Sequence, residues 1–291
     1  MAGAARNAFT DGWENGWMNG WDPSFAPKFA TILFSFLTFL LIWVVFNARP
    51  KTKRLEKSAA QQKVSFRIHK AELATRLIST VHATFVGQGV LRVLYFDGQR
   101  LRAENNGFTE TSDTAALYFC VSVAFFIGDF LICCVQFEDY GYGFLLHAIC
   151  GLGTYFYVVM SDSAHYWACL GLTWEISTVF LNVRWWLLEY NHKNSLCYKI
   201  NSVLVVLVFG IIRIFISWPL TFYYVRSSYR LTTLGGGNGS VSTVFFGWTS
   251  AVTVALGLLN GFWFSKMLRS IKRAICGGRK KEKTSSTKKV E

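Results

Sequence analysis

Long apolar runs recur along this chain of 291 residues, each close to the roughly 20-residue length at which a helix crosses a lipid bilayer. Hydrophobic residues make up 52% of the chain and charged residues only 16%, which is less charge than a soluble domain usually carries. The sequence therefore predicts an all-α, polytopic membrane protein with about seven transmembrane helices. The predicted spans are Phe29–Phe46, Ala71–Phe96, Thr114–Phe137, Gly141–Met160, Ser163–Leu188, Ser202–Val225 and Val241–Leu268.

Lysine and arginine residues gather in two places, and both places adjoin predicted spans. Residues 47–70 carry eight of them and residues 269–291 carry nine, whereas residues 1–28 carry two. Because loops rich in Lys and Arg stay in the cytosol, we expect a lumenal N-terminus and a cytosolic C-terminus, which an odd number of spans joins. The flanks of the membrane thus explain the net charge of +13, and no nucleic-acid partner is expected.

This pattern divides the chain into four regions. They are a Trp-rich lumenal segment (1–28), the first span with its basic cytosolic loop (29–70), the main membrane domain (71–268) and a basic cytosolic tail (269–291). Trp13, Trp17 and Trp21 recur at every fourth residue, and tryptophan favours the membrane interface. We therefore expect the first region to anchor at the lumenal surface.

Two short motifs bear on the compartment. The chain ends in KKVE, in which Lys288 and Lys289 form a dilysine signal that vesicle-coat machinery reads for retrieval to the endoplasmic reticulum. Asn238 begins an Asn-Gly-Ser sequon in a loop that is expected to be lumenal, so it is a candidate for N-glycosylation. The dilysine signal predicts residence in the membrane of the endoplasmic reticulum, and the sequon agrees with the expected topology.

Polar side chains interrupt the predicted spans at two depths. About six to eight residues from the cytosolic end, or roughly 10 Å, lie Asp129, His147, Asn182 and Asn260. About eleven to thirteen residues in lie His82, Glu175 and Arg213. Because a charge in hydrocarbon is costly, such groups usually face the bundle interior, and we predict a shared polar cavity for a lipid headgroup. The alternative is that they only form hydrogen bonds that hold the helices together.

The segment WEISTVFLNVRWW (174–186) concentrates these groups. Glu175, Thr178 and Asn182 follow a three-then-four spacing, which places them on one face of a helix. Glu175 and Arg213 lie at the same depth, and a pair costs far less than two separate buried charges, so we predict an ion pair. Arg184 lies nearer the cytosolic end and is expected to snorkel to the headgroups.

Six segments occur in the order of a known family: RLISTVHATFVG (76–87), FFIGDFLICC (125–134), FLLHAICG (144–151), WEISTVFLNVRWWL (174–187), GIIRIFISWPL (210–220) and LLNGFWFSKML (258–268). Over residues 30 to 270 the chain resembles the TLC-domain family of endoplasmic-reticulum membrane proteins, and within it the branch of TLC domain-containing protein 4. The resemblance implies that six membrane helices form a barrel-like bundle around a polar cavity. It also implies an extra N-terminal helix outside that bundle.

The resemblance implies a role in lipid homeostasis, by binding, sensing or trafficking a membrane lipid. In the ceramide-synthase branch, an adjacent histidine pair serves acyl transfer from acyl-CoA to a sphingoid amine, a step of sphingolipid synthesis. Here His147 is followed by Ala148, so one member of that pair is missing, and we expect a lipid-binding protein rather than an enzyme.

Two other functions stay open at this point. One is an acyl-CoA-dependent N-acyltransferase with His147 as the working imidazole, oriented by Asp129, and with acyl-CoA as co-substrate. The other is a proton-coupled or lipid transporter in which the buried charges form a relay. The sequence contains no zinc motif, phosphate-binding glycine loop or serine elbow, and we expect no metal and no cofactor. The expected partners are membrane lipids and, through the tail, coat machinery.

Overall fold

The computed structural model of the protein describes residues 25–48, 59–103, 107–233 and 243–287, and within these ranges it contains helices and no strand. The predicted all-α class is confirmed. The ten helices are α1 (Phe25–Ala48), α2 (Ala59–Phe96), α3 (Gly98–Ala103), α4 (Asp113–Val135), α5 (Phe137–Ser161), α6 (His165–Leu172), α7 (Ile176–Glu189), α8 (Leu196–Phe209), α9 (Ser217–Thr233) and α10 (Thr243–Thr287). Trp13, Trp17, Trp21, Asn238, Lys288 and Lys289 lie outside the described residues.

Six stretches of the described chain are long and apolar enough to cross a membrane as continuous helices. They are Phe25–Val45, Glu72–Phe96, Asp113–Val135, Phe137–Ser161, Leu196–Leu231 and Phe246–Arg273. The remaining predicted span, Ser163–Leu188, is instead two helices, α6 and α7, which a 3-10 turn at Thr173–Glu175 joins. A second irregularity interrupts the stretch from α8 to α9, where Gly210–Ile216 forms a π-helical segment.

The membrane helices close into a ring. Going around it, α2 packs on α4, α4 on α5, α5 on α10, α10 on the π segment and α8, α8 on α7, and α7 back on α2. The ring surrounds an interior that Glu175 of the 3-10 turn and Arg213 of the π segment line. It agrees with the barrel-like bundle that the family resemblance implies.

Helix α1 lies outside the ring. It packs against α2 and α4, and none of its side chains from Phe25 to Val45 is fully buried. Its first turn is held by an ion pair, because Lys28 Nζ lies 2.8 Å from Asp162 Oδ1 at the end of α5. His165 Nε2 lies 3.3 Å from the same oxygen, while the backbone N–H of Ser112 donates to His165 Nδ1. Hydrogen bonds from His165 and Lys28 lower the pKa of Asp162 to about 2.

The two ends of the ring differ. At one end, which we name the closed end, aromatic rings fill the interior; its buried cluster is Phe108, Ala164, Trp167, Tyr224 and Phe246. The rings of Phe108 and Phe246 are 5.1 Å apart, and those of Trp167 and Tyr224 are 5.2 Å apart. The opposite end, where α7 ends and α8 begins, is named the cavity end, because an interior space of about 370 Å³ lies there.

The course of the chain between these ends bears on the number of crossings. Helix α1 begins beside Asp162, near the closed end, and α10 leaves the closed end at Phe246. The segment made of α6, the turn and α7 begins at the closed end with Ala164 and reaches the cavity end at Leu188. The interrupted segment therefore runs the length of the ring like its neighbours, and the ring together with α1 contains seven traversing segments.

The outer surface of the ring is apolar, as lipid contact requires. Phe34, Val135, Phe215 and Phe222 are each at least 70% exposed and lie on three of the traversing segments. Large exposed apolar side chains on every face would promote aggregation in water, whereas hydrocarbon solvates them. The exterior thus agrees with a polytopic membrane protein.

Candidate functional site

Two cavities lie one above the other inside the ring. Cavity A, at the cavity end, has a volume of about 370 Å³ and takes its walls from α2, α4, α5, α7, the π segment and α10. Its polar lining residues are Thr75, Arg76, Asp129, Tyr140, His147, Glu175, Thr178, Asn182, Arg184 and Arg213. The volume lies within the usual range of small-molecule sites.

Cavity B extends from there toward the closed end. It has a volume of about 110 Å³ and is lined mainly by apolar side chains of α5, α6, α9 and α10, among them Val158, Leu220 and Val252. Two hydroxyl groups in its wall, on Thr154 and Ser217, are buried without a hydrogen-bond partner in the part of the chain that the structure describes. The space suits an aliphatic chain that carries little polarity.

His147 and Glu175 mark the boundary between the two cavities, because both side chains line both of them. Glu175 is the last residue of the 3-10 turn, and the break in the helix directs the chain past this boundary. Short non-α segments of this kind often mark functional positions in helices. Cavities A and B therefore adjoin at His147 and Glu175, and the first is lined by charged and polar groups while the second is lined mainly by apolar side chains.

The predicted ion pair between Glu175 and Arg213 is confirmed. Arg213 Nη2 lies 3.6 Å from Glu175 Oε1, and both side chains are less than 8% exposed. Thr178 connects the pair further, since it donates to Glu175 Oε2 at 3.0 Å and accepts from Arg213 Nη2 at 3.0 Å. Burial of both charges is tolerated because each has a charged partner and additional hydrogen bonds.

The remaining donors of Arg213 are also engaged. Its Nε donates to Ser177 Oγ at 2.7 Å and to the carbonyl of Trp174 at 3.1 Å, and its Nη1 donates to Asn260 Oδ1 at 3.3 Å. Arg213 lies in the middle of the π segment, whose wider turn displaces the backbone from the regular helical path. Asn260 lies behind the guanidinium and is not among the residues that line cavity A.

Asn182 lines cavity A but its amide serves helix packing. Its Nδ2 donates to Ser79 Oγ, Thr80 Oγ1 and the carbonyl of Arg76, at 3.0 to 3.3 Å, and its Oδ1 accepts from Arg76 Nη1 at 3.2 Å. This one side chain therefore attaches α7 to α2. For Asn182, the geometry therefore fits the alternative of hydrogen bonds that hold helices together better than it fits contact with a lipid headgroup.

His82 does not line cavity A or B. Its ring is fully buried, stacks on Phe125 with the centroids 4.0 Å apart, and its Nε2 lies 3.1 Å from Ser122 Oγ. The prediction that His82 shares the cavity with the other polar groups is thus wrong. Counting residues along the chain predicts how deep His82 lies in the membrane but not which way its side chain points. The side chain leaves α2 on the face that packs against α4.

Asp129 and His147 line cavity A together, from α4 and α5. No hydrogen bond joins them in the described structure, and the His147 ring instead neighbours Phe126 and Trp263, with centroids 5.8 and 6.0 Å away. The carboxylate–imidazole pair that an acyltransferase would use is therefore not formed. The described residues also contain no cluster of three or more His, Cys, Asp or Glu that could hold a metal.

The sequence did not predict several of the residues that line cavity A. Arg184 was expected to reach the headgroups outside, yet it lines cavity A, and its Nη2 donates to Tyr198 Oη at 3.1 Å. Arg76 also lines cavity A, with its guanidinium 5.6 Å from the centre of the Trp185 ring. Continuing the three-then-four spacing from Asn182 reaches Trp185, so the sequence contained a signal for that residue.

A third space, cavity C, lies between α1 and the ring. It has a volume of about 220 Å³, and its mostly apolar walls come from α1, α2 and α4. Thr75, Phe125 and Asp129 line both cavity C and cavity A, so these side chains form part of the wall between the two. Gly128 also lines cavity C, and a Cβ at that position would have no atom within 4 Å.

Comparisons with known proteins agree with this architecture. Residues 72–269 match the TLC domain (TRAM_LAG1_CLN8). The chain is 28% identical over 220 residues to an uncharacterised TLC domain-containing protein of Schizosaccharomyces pombe, covering 73% of this chain and 72% of that protein. It is 27% identical over 220 residues to TLC domain-containing protein 4-B of Danio rerio, covering 74% and 79%. It is 26% identical over 253 residues to TLC domain-containing protein 4 of Xenopus tropicalis, covering 83% and 89%.

The domain match covers the whole ring and both interior cavities, from the start of the span in α2 to Arg269 in α10. Proteins with this domain are generally membrane proteins tied to lipid metabolism. The relatives above bear family names and carry no assigned reaction. The multi-pass helical fold, the order of the motifs and the domain match together place this chain in the TLC-domain family.

Proposed function

We propose that this protein acts in lipid homeostasis by holding one membrane lipid inside the ring, with the headgroup in cavity A and an acyl chain in cavity B. The observation that carries the proposal is that a charged cavity and an apolar cavity adjoin at His147 and Glu175. An amphiphilic lipid suits cavity A and cavity B at once, because its headgroup replaces water at the charged walls of cavity A while its acyl chain fills the apolar space of cavity B.

The proposed residence is the membrane of the endoplasmic reticulum, with the N-terminus lumenal and the C-terminus cytosolic. The basic segments at 47–70 and 269–291 support this orientation, and KKVE supports the compartment. In this orientation cavity A faces the cytosolic leaflet, and Asn238 is a lumenal glycosylation candidate. Replacing Lys288 and Lys289 with serine is expected to move the protein along the secretory pathway; unchanged residence in the endoplasmic reticulum would contradict the retrieval role.

The lipid is proposed to enter from the bilayer through cavity C. This route is supported by Thr75, Phe125 and Asp129, which form part of the wall between cavity C and cavity A. Helix α1 covers the route, yet it lies outside the ring and is fixed at its first turn by Lys28.

A binding role fits His147 better than catalysis does. An N-acyltransferase needs a general base within hydrogen-bond reach of the amine, held in the correct tautomer by a partner. His147 receives no such hydrogen bond in the described structure, and its sequence neighbour is Ala148 instead of a second histidine.

The deciding experiment measures lipid that remains bound to the full chain after purification in mild detergent. Quantitative mass spectrometry is expected to find one lipid per chain. Leu220→Trp places an indole in cavity B and should remove the lipid while the chain remains folded, as its helical circular dichroism shows. Leu207→Trp, on an exposed site of α8, is the matched control and should retain it. Equal lipid content in the two variants would contradict the proposal.

The same preparation tests the catalytic alternative. Incubation with acyl-CoA and a sphingoid base is expected to give no N-acyl product. Product that forms with the natural chain and disappears in His147→Ala would overturn the non-catalytic proposal and establish an acyltransferase.

A further inference from the structure

Some of the charged residues that line cavity A form ion pairs and others do not. Arg213 pairs with Glu175, and Arg76 pairs with Glu72 at 3.3 Å. Two charged lining residues are left, Arg184 and Asp129, and neither forms an ion pair within the described ranges. One is a cation and the other an anion, and they belong to different helices, α7 and α4.

Arg184 provides an unneutralised guanidinium. Its only described polar contact is the hydrogen bond that Nη2 donates to Tyr198 Oη, and its Cζ lies 5.5 Å from the centre of the same ring. The Tyr198 side chain positions the guanidinium without supplying a negative charge. Arginine binds phosphate with two parallel hydrogen bonds, so this group is suited to the phosphate of a lipid.

Asp129 provides a carboxyl group that forms no ion pair in the part of the chain that the structure describes. It is half-buried, it lines both cavity A and cavity C, and no hydrogen bond to it is found in the described structure. A carboxylate in an apolar wall is stabilised by a cation that approaches it from the cavity. The aromatic ring of Phe125 lines the same two cavities, and aromatic faces attract substituted ammonium groups.

We infer that the lipid held in cavity A has a zwitterionic headgroup, with its phosphate on Arg184 and its ammonium group on Asp129. The inference rests on the proposed function and specifies the ligand class of that site. An anionic lipid would satisfy Arg184 but leave Asp129 without a counter-charge and repel it. A phosphate triester with an ammonium group would satisfy Asp129 alone.

Three lipids with identical acyl chains separate these cases: phosphatidylcholine, phosphatidylglycerol and ethylphosphatidylcholine. Native mass spectrometry of the delipidated full chain, given an equimolar mixture, is expected to show phosphatidylcholine bound about tenfold more than either competitor. Phosphatidylglycerol lacks the cation that would face Asp129, and ethylphosphatidylcholine lacks the anionic phosphate oxygen that would face Arg184. Soluble phosphocholine should compete much more weakly, because it leaves cavity B empty. Competition by phosphocholine at the concentration of the lipid would contradict a lipid ligand.

Two variants test which residue binds the ammonium group and which binds the phosphate. Asp129→Asn should abolish the preference for phosphatidylcholine over phosphatidylglycerol, whereas Arg184→Gln should weaken both phosphodiesters and leave ethylphosphatidylcholine unchanged. Asp139→Asn and Arg230→Gln, at exposed sites away from the cavities, are the matched controls and should bind like the natural chain. Unfolding temperatures show that each variant is folded.

The possible failures are distinct. If no lipid of any headgroup binds the folded protein, the proposed function is contradicted. If phosphatidylglycerol binds as well as phosphatidylcholine, or if Asp129→Asn changes nothing, the zwitterionic assignment alone is contradicted and the binding role stands.

Discussion

Arg213 and Glu175 face each other across 3.6 Å at the level where cavity A meets cavity B, and both side chains are almost completely buried. Each comes from an irregular stretch of backbone, Glu175 from the 3-10 turn and Arg213 from the π segment. The two irregularities thus bring opposite charges together in the interior, at the place where a headgroup would meet its acyl chain.

Loss of Glu175 should destabilise the protein more than loss of the whole pair. Glu175→Ala leaves a buried guanidinium without its counter-charge, which costs about 3–5 kcal/mol when one partner of a buried pair is removed. The double variant Glu175→Ala, Arg213→Ala removes that unpaired charge. We expect thermal unfolding in detergent to show a lower unfolding temperature for the single variant, and equal or additive losses would show that the pair is not coupled.

The amide of Asn182 should contribute to stability rather than to lipid binding. Asn182→Ala removes the donor to Ser79, Thr80 and the Arg76 carbonyl, so we expect a loss of about 1–3 kcal/mol in the free energy of unfolding. Asn194→Ala, in the exposed loop before α8, should cost almost nothing. A stable Asn182→Ala variant with abolished lipid binding would reverse the assignment.

Filling cavity C should slow lipid exchange. Gly128→Phe places a ring where a Cβ meets no atom within 4 Å, so the fold should tolerate it while the route between α1 and the ring narrows. Gly261→Phe on α10 is the matched control, since its Cβ also has open space. Transfer of a fluorescent lipid from vesicles to the protein should be slower only in Gly128→Phe. Equal transfer rates would exclude entry through cavity C.

The attachment of α1 should weaken in acid. Asp162 has its pKa lowered from 3.8 to about 2, so its ionised form stabilises the fold above pH 3.8, and this stabilisation is lost as the pH falls through about 2. We expect the difference in unfolding temperature between the natural chain and Asp162→Asn to shrink between pH 4 and pH 2. Asp139→Asn, at an exposed site, should show no such change. A constant difference for Asp162→Asn would contradict the role of the Lys28–Asp162 pair.

Hydropathy and depth predicted the membrane class and the contact of Glu175 with Arg213, because both are properties of single segments, whereas the closed ring was expected from the family resemblance. The sequence did not predict the break at Thr173–Glu175, since the residues there are as compatible with a continuous helix as their neighbours. The depth of a residue along its helix also did not predict the surroundings of His82 and Arg184. Their surroundings depend on the direction in which each side chain leaves its helix. That direction is set by helix packing, which no local pattern encodes.

The most direct test of lipid binding inside the ring is photo-crosslinking with a phosphatidylcholine that carries a diazirine in one acyl chain. After irradiation of the full chain in lipid nanodiscs, peptide mapping should find adducts on residues of cavity B such as Tyr155, Leu220 and Val252. Leu220→Trp should suppress the adducts on the other two residues. Adducts confined to outward-facing residues such as Phe34, Phe215 and Phe222 would contradict an interior lipid site.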